Sequence, residues 1–260
     1  MIGTYGHGTH NDFVLTFDPT DEHELSTEQI ARICDRTTGI GADGFIRITK
    51  RDGKWFMDYR NQDGSLAEMC GNGARVMARY LVERGHQPEG IFAINTRAGM
   101  KYLSVPADAD ISINLGGVEE VYDDVTVTVG VQSWPATHIS VGNPHAVVFV
   151  DDLASLDLTK APEVDGDYPD GVNVEFVKFL ENGELAMRVY ERGVGETQSC
   201  GTGTCAVALA ATLRNGGKLP SRWVINPPGG RLVVETDPHS NATLIGPAVL
   251  VKDYDLDKYL

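Results

Sequence analysis

Two cysteines stand in glycine-rich segments that lead directly into helix-like runs. Cys200 lies in "ETQSCGTGTC" before "AVALAATLRN", and Cys70 lies in "AEMCGNGA" before "RVMARYL". Glycine beside a reactive side chain lets a ligand approach main-chain N–H groups without meeting a Cβ. A thiol at a helix N-terminus also lies at the positive end of the helix dipole, which favours the thiolate. The sequence therefore predicts two reactive thiols, with the thiolate of Cys200 favoured by its helix.

The two cysteine segments belong to a repeat of half the chain. Cys70 and Cys200 are 130 positions apart in a chain of 260 residues, and Asn11 and Asn143, each before an apolar strand-like run, are 132 positions apart. Two pairs at nearly one offset predict a duplicated domain with a boundary near Gly116. The expected halves are residues 1–116 and 117–248.

A thiol at the same place in each half suggests a particular chemistry. If the halves face each other across a pseudo-twofold axis, Cys70 and Cys200 approach one ligand from opposite sides. One group would remove a proton from a carbon while the other delivers a proton to the opposite face, which inverts the stereocentre. Free cysteine is commonly a buried core residue, but the occurrence of two such cysteines in a repeat favours the functional interpretation.

The remaining pattern predicts an α+β fold made of two pseudo-symmetric halves. Alternating β-branched runs predict strands, and the clearest are residues 45–49, 111–115, 125–129, 185–190 and 231–235. Ser26 and Gln29 form a capping box before a short helix. The segment "CAVALAATL" is apolar almost all round, which predicts an enclosed helix. Each half is thus expected to wrap several strands around one buried helix.

Composition narrows the range of partners. The net charge is −15, and the absence of a Lys/Arg cluster argues against nucleic acid. No apolar run is long enough to span a membrane, and the first residues lack the features of a signal peptide. We therefore expect a cytosolic protein that binds a small molecule of neutral, cationic or zwitterionic character. The oligomeric state stays open, with a homodimer as one option.

Several cofactor and metal motifs are absent or misplaced. The glycines of residues 39–44 fit G-x-G-x-x-G by letter, but they precede a strand, the reverse of a dinucleotide site. There is no P-loop, no glycine-framed lysine for pyridoxal phosphate and no paired C-x-x-C for zinc. We expect neither a cofactor nor a metal. Cys34 and Cys205 are expected to be structural.

The motifs resemble those of the diaminopimelate epimerases, above all the actinobacterial members. The similar stretches run in order from residue 6 to 230 and are "GHGTHNDFV", "DRTTGIGADG", "YRNQDGSLAEMCGNGAR", "VGNPHAV", "PDGVNVEF", "ERGVGETQSCGTGT" and "PGG". The resemblance implies cofactor-independent interconversion of LL- and meso-diaminopimelate for lysine and peptidoglycan synthesis. It also implies two barrel-like mixed sheets, each around a central helix, with a last strand in residues 249–260 that returns to the first half.

The resemblance also implies roles for individual residues. Cys70 and Cys200 correspond to the acid/base pair, with Cys70 giving a proton to the LL substrate and Cys200 taking one. Backbone groups of four residues at the helix N-termini would hold the α-carboxylate: Gly71, Asn72, Gly201 and Thr202. The other expected substrate contacts are Asn11, Asn61, Asn143, Asn173, Glu191 and Arg192. Arg192 would clamp the distal carboxylate, and His145 and Glu191 would tune the pKa values of the cysteines.

Other interpretations remain open at this point. Each asparagine is also typical of a turn, and His145 could be a strand-edge histidine bonded to backbone. Proline and hydroxyproline racemases share paired cysteines in glycine-rich loops, but Asn61, Glu191 and Arg192 suit a longer substrate. A non-enzymatic thiol-redox protein would need only the two cysteines. An assay with diaminopimelate, proline and 4-hydroxyproline distinguishes the three.

Overall fold

The computed structural model describes residues 1–260, which form two compact units. The first unit contains Met1–Ile113 and Gly246–Leu260, and the second contains Asn114–Ile245. The C-terminal segment thus belongs with the N-terminal unit. The expected halves, residues 1–116 with 249–260 and residues 117–248, have similar borders, and their assignment as epimerase domains stays a prediction.

The chain is mostly β-strand with three α-helices. The first part contains β1 (Ile2–Gly8), β2 (Asn11–Phe17), α1 (Thr27–Cys34), β3 (Gly44–Arg51), β4 (Lys54–Asn61), α2 (Gly71–Glu83), β5 (Gly90–Thr96), β6 (Gly99–Val105) and β7 (Ile111–Gly117). The next part contains β8 (Glu119–Val129), β9 (Gln132–Ser140), β10 (Pro144–Phe149), β11 (Glu163–Asp165), β12 (Asn173–Phe179), β13 (Leu185–Glu191), β14 (Gly195–Thr197), α3 (Gly201–Arg214), β15 (Ser221–Asn226), β16 (Leu232–Thr236) and β17 (Asn241–Gly246). Finally, β18 (Val249–Asp255) pairs antiparallel with β1, and a single 3-10 turn follows it at Leu256–Lys258.

The two units repeat one arrangement of strands. In the first, β2 runs parallel to β3, with Phe13 opposite Gly44, and β3 is antiparallel to β4. In the second, β10 runs parallel to β12, with His145 opposite Asn173, and β12 is antiparallel to β13. One long helix follows β4 in the first unit and β13 with the short β14 in the second. The mixed sheets and the central helices confirm the predicted α+β fold.

Both central helices are enclosed, as the sequence predicted. Residues 71–81 of α2 are all buried, and α3 is buried at most positions because alanine and valine fill its surface on every side. None of the helices has the length and hydrophobicity that crossing a bilayer requires. The predicted capping box is present before α1, where Ser26 Oγ accepts from Gln29 N at 3.3 Å and Gln29 Oε1 accepts from Ser26 N at 2.8 Å.

Candidate active site

Cys70 is the N-cap residue of α2. Its backbone is extended, and its carbonyl accepts the first helical hydrogen bond, from Ala74 N at 2.8 Å. The thiol lies 3.4 Å from Asn11 Oδ1 and donates to it. Asn72 Nδ2 donates to the same oxygen at 3.2 Å. The structure therefore brings three of the predicted site residues together at the start of α2, with the side-chain carbonyl of Asn11 facing the thiol.

A charged cluster behind Asn11 fixes the orientation of its amide. Asn11 Nδ2 donates to Asp43 Oδ2 at 2.8 Å, so its oxygen must point the other way, towards Cys70. Arg36 bridges Asp43 and Asp12. Burial raises the pKa of Asp43. Burial would also raise the pKa of Asp12, but hydrogen bonds from Arg36 and Tyr5 outweigh it and leave that pKa lowered.

A tight hairpin turn between β1 and β2 positions Asn11 beside Cys70. Thr9 and His10 connect β1 to β2, and both have positive φ, 52° and 56°, as in a type I′ turn. A β-branched residue in this region is strained, and such strain is frequent beside functional sites.

Cys200 is the N-cap residue of α3 and is only 7% exposed. Its Sγ accepts from Gly203 N at 3.4 Å and lies 3.5 Å from Thr202 Oγ1. Burial raises the pKa of Cys200 well above its ordinary value, and the negative charges of Glu191 and Glu175 raise it further. The sequence predicted that the position of Cys200 at a helix N-terminus favours its thiolate. The net shift of its pKa is upward, so this prediction is wrong. The bond from Gly203 lowers the pKa, but burial and the two carboxylates outweigh it.

The other predicted residues of the second unit form two groups. Asn143 links the ring of His145 to α3, because its Oδ1 lies 3.1 Å from His145 Nε2 and its Nδ2 lies 3.5 Å from Thr202 Oγ1. Asn173 Oδ1 accepts from Arg192 N at 3.0 Å and so fixes the chain just after β13. The guanidinium of Arg192 is exposed and donates to backbone carbonyls of the 170–171 loop at 3.2 and 3.4 Å.

Glu191 ends β13 and accepts a 2.5 Å hydrogen bond from Thr197 Oγ1. Burial raises the pKa of Glu191, as does the charge of Glu175.

Asn61 ends β4, and its Nδ2 donates to Ser65 Oγ at 3.0 Å within an exposed turn. Gly71 and Gly201 are the first residues of α2 and α3. The functional roles of all these residues stay predictions.

Two charged residues, Glu175 and Asp43, contact the predicted site residues but were not identified from the sequence. Glu175 lies in the centre of β12, fully buried, 2.7 Å from His145 Nδ1. Asp43 holds Asn11 from the end of a glycine-rich loop. The available signal for Glu175 was a single acidic residue inside the otherwise apolar segment "VEFV" (174–177). A charged residue in a buried strand is almost always paired. No group of three or more His, Cys, Asp or Glu side chains is arranged to hold a metal ion.

Two similar units, each with mixed strands and one enclosed helix, define the fold class of this chain. A phenazine biosynthesis protein of the PhzF family from Bacillus anthracis shares the fold with a TM-score of 0.77, covering 98% of both chains at 15% identity. A hydroxyproline epimerase from Agrobacterium vitis matches with a TM-score of 0.72, covering 98% of this chain and 91% of its own at 14% identity. At these identities the likeness concerns the fold alone.

Sequence comparison then identifies the family within this class. The family model described as diaminopimelate epimerase matches residues 3–121 and 137–251. The diaminopimelate epimerase of Streptomyces coelicolor is 44% identical over 271 aligned residues, which cover 97% of this chain and 94% of the relative. The chain belongs to the diaminopimelate epimerase family, which confirms the resemblance noted in the sequence.

Proposed function

We propose that this protein interconverts LL- and meso-diaminopimelate by proton removal and return at the α-carbon, with Cys70 and Cys200 as the two acid/base groups. The observation that carries the proposal is the N-cap thiol of the central helix in each unit. Similarity to relatives named diaminopimelate epimerase supports the choice of substrate. The reaction would be an isomerisation in the cytosol, without cofactor, in lysine and peptidoglycan biosynthesis.

The surroundings of Cys200 suit the abstraction of a weakly acidic proton. Because burial and nearby carboxylates raise the pKa of this thiol, its thiolate, once formed, is a stronger base than an ordinary thiolate. Cys70 would deliver a proton to the opposite face of the carbon, and the roles would exchange in the reverse direction. His145 and Glu191 would adjust the proton affinity of the cysteines.

The helix N-termini provide the means to hold an α-carboxylate. The backbone N–H groups of a first helical turn have no partner within the helix and attract anions. Gly71, Asn72, Gly201 and Thr202 stand in these first turns. Arg192 would pair with the distal carboxylate, and the remaining predicted contacts are Asn11, Asn61, Asn143, Asn173 and Glu191.

A substrate comparison tests this function. Purified protein is incubated separately with LL-diaminopimelate, L-proline and trans-4-hydroxy-L-proline, and each product is resolved by chiral chromatography. We expect epimerisation of diaminopimelate alone. Turnover of either proline would support a racemase instead. Inactivity towards all three, together with a reversible Cys70–Cys200 disulfide, would support a thiol-redox protein.

A further inference from the structure

Two buried positions behind the central helices differ in chemistry between the units. In the first unit, Phe13 on β2 and Ile46 on β3 fill them with apolar side chains. In the second unit, His145 on β10 and Glu175 on β12 fill them with a hydrogen-bonded pair, and neither residue is exposed at all.

The strand registers show that these positions are equivalent. Phe13 lies opposite Gly44 and His145 lies opposite Asn173, in each case across a parallel pair of strands. Ile46 and Glu175 then follow two residues later on the partner strands. The separation of Phe13 and His145 is the same 132 positions that separate Asn11 and Asn143.

The third residue of each central helix packs against these side chains. A Cβ on Gly73 in α2 would lie 3.0 Å from Ile46 Cδ1 and 3.2 Å from Phe13 Cε1. A Cβ on Gly203 in α3 would overlap Glu175 Oε1. The carboxylate of Glu175 therefore lies directly against the first turn of the helix that begins at Cys200, where the helix dipole favours an anion.

The fold itself does not require the polar pair. The first unit builds the same parallel strands and the same helix start on an apolar pair. A buried ion pair usually adds no stability over such a pair, because desolvation offsets the attraction. In addition, Glu175 Oε2 is buried without a hydrogen-bond partner, which costs free energy. A role other than stability accounts for the pair.

Both ring nitrogens of His145 face side-chain oxygen atoms. Its Nδ1 lies 2.7 Å from Glu175 Oε1, and its Nε2 lies 3.1 Å from Asn143 Oδ1. The Nδ2 atom of Asn143 lies on the other side, 3.5 Å from Thr202 Oγ1. A neutral imidazole has a single N–H and could donate to only one of the two oxygens. With Glu175 ionised, both of these oxygens are acceptors, and a ring that donates to both carries two protons.

We propose that Glu175 is a positioning residue for the second thiol. It keeps His145 doubly protonated, and His145 in turn holds the Asn143 amide with its NH2 group towards Thr202, beside Cys200. The charges of Glu191 and Glu175 both reach Cys200, so this pairing also sets the charge around the thiol. The catalytic consequence rests on the proposed function, but the protonation of His145 does not.

The test combines spectroscopy with kinetics. Protein with 15N-labelled histidine gives ring signals for seven histidines, and His145→Phe identifies those of His145. We expect two N–H groups on His145 in the wild type and one in Glu175→Gln. We also expect kcat in Glu175→Gln to fall about tenfold at nearly constant KM, as for other groups that orient a functional histidine.

Asp123→Asn is the matched control, because Asp123 is an exposed carboxylate of the same unit that pairs with His138 at 2.9 Å. It should keep the wild-type kcat and leave both His145 signals in place. A single N–H on His145 in the wild type, or two retained in Glu175→Gln, would overturn the proposal. Should Glu175→Gln fail to fold, the wild-type spectrum alone decides. Inactivity of the wild type towards diaminopimelate would contradict the proposed function and leave the spectroscopic result intact.

Discussion

The two thiols share a backbone setting and differ in the side chains around it. Cys70 is partly exposed and donates to the carbonyl of Asn11, and an apolar pair fills the space behind its helix. Cys200 is buried, and two carboxylates, Glu191 and Glu175, raise its pKa. The two units therefore share the cysteine at the helix start but differ in the side chains that control the proton affinity of its thiol.

The repeated asparagines illustrate this difference. Asn11 turns its oxygen towards Cys70, because Asp43 accepts from its NH2 group. Asn143 turns its NH2 group towards Thr202 beside Cys200, because its oxygen faces His145. The thiol of Cys70 thus faces a neutral carbonyl oxygen, whereas Cys200 accepts from a backbone N–H and also forms a hydrogen bond with the carboxylate of Glu191. A reaction that needs an acid and a base at the same time is well served by two unlike thiols.

The largest effect is expected from removing either thiol. Cys70→Ala and Cys200→Ala should each fold and lose epimerase activity by about 10²–10⁴-fold, the usual contribution of a general acid or base. Steady-state kinetics and circular dichroism measure both properties. Cys34→Ala and Cys205→Ala, which alter buried cysteines that are not N-cap residues, are the controls and should stay active. A folded Cys70→Ala protein with nearly wild-type turnover would refute a role for both thiols.

A smaller effect on activity is expected when His145 and Glu175 are replaced by the apolar residues that occupy the equivalent positions in the first unit. The double substitution His145→Phe with Glu175→Ile should fold, with a free energy of unfolding within about 2 kcal/mol of the wild type, since hydrophobic replacement of a buried ion pair is often neutral or stabilising. We expect kcat to fall by about tenfold or more. Urea denaturation and steady-state kinetics check the two parts. Wild-type kcat in the folded double variant would show that the polar pair has no part in the reaction.

The smallest effect concerns the pH dependence of stability. The pKa of Cys200 is raised on folding, so above the ordinary thiol value of about 8.5 the folded state retains a proton that the unfolded state has lost. The free energy of unfolding should therefore fall as pH rises through this region, by about 1.4 kcal/mol for each pH unit until the folded pKa is reached.

Cys200→Ala lacks this titration and should lose less stability between pH 7.5 and pH 10. Urea denaturation of both proteins at the two pH values gives the comparison. Equal losses would mean that Cys200 is not held in its protonated form by the fold.

Local sequence signals were sufficient for the backbone of the site. The C-G-x-G segments predicted both helix starts, and the apolar run after Asn11 predicted the strand at whose start it lies. The proton affinity of Cys200 could not be predicted in this way, because it depends on burial and on Glu175. Glu175 is separated from Cys200 in the chain and reaches α3 only through the parallel register of β10 and β12. The dipole argument used local geometry alone and gave the wrong sign.

The source of the product's hydrogen tests the two-thiol account most directly. A thiol carries one proton, so the proton taken from the substrate stays on one sulfur, and the other sulfur, already equilibrated with solvent, supplies the new one. In D2O, with LL-diaminopimelate as the starting material, early product should carry deuterium at the inverted carbon while the remaining substrate stays almost fully protiated. NMR or mass spectrometry at low conversion measures both. Largely protiated early product would contradict separate action of Cys70 and Cys200 on opposite faces.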